Sequence, residues 1–199
     1  MIYGVGCVSF DGERAQPMLC ESVGNYQGGK VMLGVCLLFV GIVLINNGIC
    51  TLANVDKKSA AVMNIFTGGL SLFINCVNLA QGNYYAAGTG LLFCFTYLWV
   101  AINNIFDRDS YPFAWFQSFV AVNAIVFGIV EGVTGCASLG IEADWRWAVI
   151  WWLWAVLWGS AFFTDILKKD LKKFVPILQV VEGVITAWVP GVMLMIGVW

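Results

Sequence analysis

Six long apolar stretches, separated by short polar breaks, leave this chain few ways to fold. They run over Val31–Leu52, Ala60–Ala80, Ala86–Phe106, Phe113–Gly140, Trp145–Leu167 and Phe174–Trp199. Each is long enough to cross about 30 Å of hydrocarbon as a helix. Inside hydrocarbon the backbone must bond to itself, so only helices or a closed barrel can span it. A barrel would need alternating strands of about ten residues, and none of these stretches alternates. The fold class read from the pattern is all-α integral membrane, with six transmembrane helices and the lipid bilayer as solvent. Composition agrees, because 60% of the 199 residues are hydrophobic and 11% charged, against about 25% charged in an ordinary soluble domain.

The same composition excludes several functions. There is no histidine, so no Ser-His or Cys-His dyad and no imidazole metal ligand can form. Cys36, Cys50, Cys76, Cys94 and Cys136 are scattered without ligand spacing. The chain therefore reads as a non-enzyme without metal or cofactor. A net charge of -2 with no basic patch offers nothing to track phosphates, so nucleic acid is excluded as a partner.

Orientation follows from the loops. The first, third and fifth hold Lys57, Lys58, Arg108, Lys168, Lys169, Lys172 and Lys173, while the second and fourth hold no lysine or arginine. Positive loops stay in the cytoplasm, which puts both termini outside. Residues 1–30 carry Asp11, Glu13, Arg14, Glu21 and several glycines without a continuous apolar run. They read as a flexible N-terminal extension ahead of a six-helix domain over 31–199, and they lack the apolar core of a signal peptide. Cys7 and Cys20 are a weak candidate pair for an exported segment.

Patterns recur between the stretches. The first holds Ile45-Asn46-Asn47-Gly48-Ile49, the third Ile102-Asn103-Asn104-Ile105, and the fifth Phe163-Thr164-Asp165-Ile166. The fourth and sixth share Val130-Glu131-Gly132-Val133 and Val181-Glu182-Gly183-Val184. These read as three helix hairpins inserted the same way, at a period of roughly 55 residues. Parallel repeats can surround a common axis and form a pore; chance similarity among apolar segments is the competing explanation.

Two features carry candidate chemistry. Six of the ten tryptophans lie in the fifth stretch, and Trp147, Trp151, Trp154 and Trp158 share one helical face. Such a face can meet lipid, pack in a core, or line a narrow slot for a flat neutral solute. Glu182 sits roughly 12 Å into the sixth helix, where a carboxylate normally faces a cavity or a partner. Glu131 falls near the opposite end of its helix, where a charge is cheaper, and so carries less weight. Asn47, Asn75, Asn78, Asn103, Asn104 and Asn123 read first as interhelical glue. Gly68, Gly69, Gly88 and Gly90 read as close-packing positions, and Pro190 as a kink or a freed carbonyl.

Specific segments then match a known pattern. These include Val40-Gly41-Ile42-Val43-Leu44-Ile45, Asn47-Gly48-Ile49-Cys50, Gly88-Thr89-Gly90-Leu91-Leu92-Phe93, Trp154-Ala155-Val156-Leu157-Trp158 and Thr186-Ala187-Trp188. With this spacing the chain resembles the AmiS/UreI family of proton-gated urea channels and short-chain amide transporters, over nearly all of residues 31–199. The resemblance implies three hairpins around a pore in each protomer, and a homohexamer in the bacterial cytoplasmic (inner) membrane. It also implies a pore lined by Val40, Leu44, Asn47, Phe93, Tyr97, Trp151, Trp154, Leu157, Trp158 and Glu182. The function expected is passive conduction of urea to a cytoplasmic urease. An acetamide-type facilitator partnered with an amidase is one alternative, and a proton-coupled transporter using Glu182 another. Acid-gated members carry histidines in longer outer loops; this chain has none, so no steep activation between pH 5 and 7 is expected.

Overall fold

The computed structural model describes the backbone of residues 16–199 and the side chains of residues 28–199. Residues 1–15 lie outside the described residues, and so do the side chains of the weak candidate pair Cys7 and Cys20. Seven α-helices follow in order: α1 (Gln16–Leu52), α2 (Lys57–Ala80), α3 (Tyr84–Phe106), α4 (Tyr111–Ile129), α5 (Trp145–Ala161), α6 (Phe174–Glu182) and α7 (Val189–Met195). Three π-helical turns, Val130–Thr134, Phe162–Ile166 and Gly183–Trp188, prolong α4, prolong α5 and join α6 to α7. The result is six helical spans of 22 to 25 residues, each long and apolar enough to cross a membrane.

α1 is already helical from Gln16, ahead of the apolar stretch that begins at Val31. Two span ends differ from the sequence reading. The fourth span ends at Thr134 rather than Gly140. There Gly135 turns left-handed at φ +66, and a bridge between Cys136 and Ile141 closes a short loop. The sixth span stops at Met195, where the chain turns off at Gly197 (φ +74). At the start of α2 the Asp56 side chain accepts from the Ser59 N–H at 3.1 Å, capping the helix three residues before the apolar run begins.

The turns keep the expected period. At the lysine-rich end each hairpin passes through a left-handed residue that is not glycine: Asn54, Asp107 and Lys168. Such a conformation is tolerated best by Asn and Asp, and its recurrence in all three hairpins argues against chance similarity. At the opposite end the turns use glycine instead, at Gly82, Gly135 and Gly140.

The spans form a ring whose tightest seams lie between hairpins rather than within them. α2 packs on α3, α4 on α5, and the sixth span on α1, while α3 meets α4 and α5 meets α6 only lightly. The seam that closes the ring is made by glycine. Gly34, Gly41 and Gly48 recur every seventh residue on α1, a spacing that keeps one face toward one neighbour. A Cβ on Gly34 would stand 2.8 Å from the Gly191 carbonyl, and one on Gly41 2.7 Å from the Trp188 nitrogen. A Cβ on Gly48 would collide with the Pro176 carbonyl. In lipid no hydrophobic force drives helices together, so such close backbone contact supplies the packing energy. Elsewhere Gly68 seats Leu98 and Gly90 seats Asn75, whereas a Cβ on Gly69 or Gly88 would meet no atom of the chain within 4 Å.

Polar groups inside the spans bond within the first hairpin. Asn47 and Asn64 exchange two side-chain bonds at 3.0 and 2.7 Å, joining α1 to α2. Asn64, Thr67, Ser71 and Asn75 form one buried polar stripe on α2, and Thr67 donates to the Phe39 carbonyl. We predict that Gly41→Ala destabilises the protein by about 2 kcal/mol through overpacking. Gly69→Ala, with no atom within 4 Å of the added methyl, is neutral or slightly stabilising. Thermal unfolding of the purified protein in detergent compares the two.

Candidate functional site

A cavity of about 130 Å³ occupies the lysine-rich half of the ring, walled by the first, third, fourth, fifth and sixth spans. Seven of the ten expected pore residues line it: Leu44, Asn47, Phe93, Tyr97, Trp154, Leu157 and Trp158. Val40, Trp151 and Glu182 are not on its wall. They are 1%, 4% and 0% exposed and lie in or beside the packed centre of the ring.

The cavity ends against an aromatic closure. Phe93 of α3 is surrounded by three indoles of α5, with ring centroids 4.7 Å from Trp154, 4.8 Å from Trp158 and 5.9 Å from Trp151. Most of these pairs meet edge to face, the arrangement that the ring quadrupole favours. The face Trp147, Trp151, Trp154 and Trp158 therefore points inward: Trp151, Trp154 and Trp158 are buried, and Trp147 packs against the same cluster. Trp145 and Trp152, off that face, are 71% and 41% exposed. The one-face spacing that the sequence displays is thus the spacing of a core wall, and the lipid-facing alternative falls.

The indole N–H groups are disposed of unequally. Trp154 donates to the Thr186 hydroxyl at 2.8 Å, and that hydroxyl donates to the Glu182 carbonyl at 2.6 Å. Trp151 donates to Glu131 Oε2 at 2.9 Å. Trp158 and the Tyr97 hydroxyl line the cavity with no hydrogen-bond partner among the described residues. Asn47 faces the cavity too, but its carboxamide is committed to Asn64.

Glu182 occupies the last α-helical position before the π-helical turn of the sixth span. It lies three residues beyond Gln179, which lines the cavity, and four before Thr186, so all three fall on one face. Neither of its carboxylate oxygens has a hydrogen-bond partner among the described residues. A buried carboxylate left so is costly, and as an acceptor-only group it can take N–H bonds. Pro190 explains part of the irregular backbone, since it removes the donor that would meet the Thr186 carbonyl.

Several wall residues were not singled out in the sequence. Gln117 and Gln179 bring carboxamides from the fourth and sixth spans, and Asp165 a carboxylate that accepts from Ser110 and Thr164. Their signal was only polarity inside apolar helices, which is equally the signal of glue. Glu131 accepts from Trp151 and from the Tyr85 hydroxyl at 3.0 Å. All three carboxylates within the spans, Glu131, Asp165 and Glu182, lie in or beside a π-helical turn, a distortion common at functional positions. Among the described residues no three His, Cys, Asp or Glu side chains gather to hold a metal.

Beyond the spans, Asp144 caps α5 and accepts from the Arg146 side chain at 2.6 to 2.9 Å. Those bonds hold its carboxyl below the ordinary carboxylate range. Whatever this clasp contributes is present above about pH 4 and is lost as pH falls further. A titration of the loop 135–144 followed by spectroscopy is expected to show no transition of Asp144 between pH 7.5 and 5.

Comparison with known proteins agrees with the six-helix fold. The model for AmiS/UreI family transporters matches residues 32–198. The acid-activated urea channel of Helicobacter pylori is 46% identical, over 84% of this chain and 100% of that protein. A putative amidate substrates transporter protein of Mycolicibacterium smegmatis is 40% identical, over 84% of this chain and 78% of its own length. The cryo-electron microscopy structure of the Helicobacter pylori urea channel in its closed state superposes with a TM-score of 0.76 at 45% identity, covering 84% of this chain and 99% of that one. With the family pattern spanning all six helices, this multi-pass membrane protein belongs to the AmiS/UreI family of transporters.

Proposed function

We propose that the protein is a passive channel for urea and similarly small, neutral, planar amides. It crosses the cytoplasmic (inner) membrane of a bacterium with both termini outside and assembles as a homohexamer with one pore per protomer. In this reading residues 31–199 form the channel domain, residues 1–30 are an extension, and a cytoplasmic urease consumes the solute. The observation that carries it is Phe93 set among three indoles at the head of the cavity. Cavities of roughly 150 Å³ hold a benzene ring, and the volume of about 130 Å³ found here suits a solute of four heavy atoms. Flat aromatic walls accept a planar molecule by its faces. The unspent groups suit its edges, with the Trp158 N–H and Tyr97 O–H of the cavity wall as donors to its carbonyl, and Glu182, buried one turn beyond Gln179, as the acceptor its N–H groups meet on passing the closure. An ion meets aromatic and leucine surfaces that cannot replace its hydration. Leu44 and Leu157 supply the apolar walls, Val40 packs in the core beside them, and Asn47 holds the first span through Asn64.

A second reading, an acetamide-type facilitator serving a cytoplasmic amidase, is favoured by the name of the Mycolicibacterium relative. A methyl in place of one NH2 changes the slot little. A third, proton coupling through Glu182, requires accumulation against a gradient that a protonophore abolishes.

Stopped-flow uptake into proteoliposomes separates these readings. Urea is expected to enter fast at both pH 7.5 and pH 5, without a severalfold rise on acidification, because histidine is absent. Preference for acetamide selects the second reading, and uphill accumulation the third. Trp154→Ala and Glu182→Gln are each expected to lower urea flux by about tenfold or more, a loss near 1.4 kcal/mol. Normal flux and selectivity in both would assign the stripe to packing alone.

A further inference from the structure

The Val-Glu-Gly sequence occurs twice, and only its second copy enters the channel reading directly. We propose that Glu131, in the first copy, is a positioning residue. Its carboxylate fixes the Trp151 indole and thereby sets how fast a planar amide crosses the aromatic closure. The proposal rests on the channel reading above.

Glu131 lies in the π-helical turn Val130–Thr134, at the end of the ring away from the lysines. Gly132 beside it admits the first turn of α5, since any Cβ there would collide with Ala148. Trp151 follows Ala148 by three residues, on the same face. The glycine thus brings the indole within reach of the neighbouring carboxylate, which accepts its N–H at 2.9 Å. The second carboxylate oxygen accepts the hydroxyl of Tyr85, from the first turn of α3, at 3.0 Å. The Glu131 backbone carbonyl accepts from the Asp144 N–H at 2.9 Å, fixing the loop that leads into α5. One residue therefore joins the third, fourth and fifth spans.

The indole it holds is central to the closure. Trp151 packs against Trp154 at 5.1 Å, Phe127 at 5.2 Å and Phe93 at 5.9 Å between ring centroids. A change in its plane is passed directly to the rings that head the cavity. The choice of a carboxylate has a chemical reason. It is acceptor-only and receives two donors at once, whereas a carboxamide has one oxygen and turns its NH2 toward the other donor.

The test is a double-mutant cycle in proteoliposomes, with urea permeability measured per reconstituted protein for the unmodified chain, Glu131→Gln, Trp151→Phe and the double variant. Glu131→Gln is expected to lower urea permeability about tenfold, Trp151→Phe comparably, and the double variant no further than the larger single loss. Losses that add in full, or Glu131→Gln at the unmodified rate, would overturn the proposal. If Glu131→Gln fails to insert, Tyr85→Phe poses the same question, with a loss of about two- to threefold that disappears in the Trp151→Phe background. Near-ultraviolet circular dichroism reads the positioning without any solute. The difference between the unmodified and Glu131→Gln proteins is expected to vanish when Trp151 is already phenylalanine, and its persistence there refutes positioning. Absence of urea or acetamide flux in the unmodified protein defeats the channel reading alone, and the spectra still decide the role of Glu131.

Discussion

Everything at the centre of this ring depends on how closely the sixth span approaches the first. Gly34, Gly41 and Gly48 let the backbone of the sixth span lie directly on α1, and in lipid this contact is the main source of packing energy. It places Thr186 where its hydroxyl meets the Trp154 N–H, and it buries Glu182 one turn from the cavity. The indole orientation on α5 is thus set from α1, through a neighbour, without a hydrogen bond between the two helices' side chains among the described residues.

The π-helical turns serve the same geometry. Consecutive helical residues point roughly 100° apart, so at Glu131-Gly132 and Glu182-Gly183 the glycine seats one neighbour while the carboxylate faces another, in or beside a π-helical turn. The outcomes differ. Glu131 is bonded to two donors, and Glu182 has none among the described residues. A sequence repeat has been turned to two uses, with one carboxylate spent on holding an indole and the other left to accept.

The hairpins and their seams separate connectivity from adhesion. The chain runs as three hairpins, each turning at the lysine-rich end through a left-handed residue that is not glycine. Yet the strongest packing joins successive hairpins and finally the last span to the first. A cavity walled by five of the six spans follows naturally, because α3 with α4 and α5 with α6 touch only lightly and leave room between them.

The sequence alone determined the fold class, the six spans and the single helical face shared by Trp151, Trp154 and Trp158, while the structure decided that this face turns inward. The first three properties follow from hydrophobic length and helical period, which are local and additive along the chain. It also picked out Glu182, because an isolated carboxylate deep in an apolar helix is expensive wherever it sits. The tertiary structure decided the rest. That Asn47 spends its carboxamide on Asn64, that Val40 is a packing residue away from the cavity wall, and that Glu131 reaches Trp151 all depend on distances between helices. Such distances are set by which glycines face which neighbours, and a glycine looks the same in sequence whether, like Gly41, it seats a backbone or, like Gly69, it faces open space.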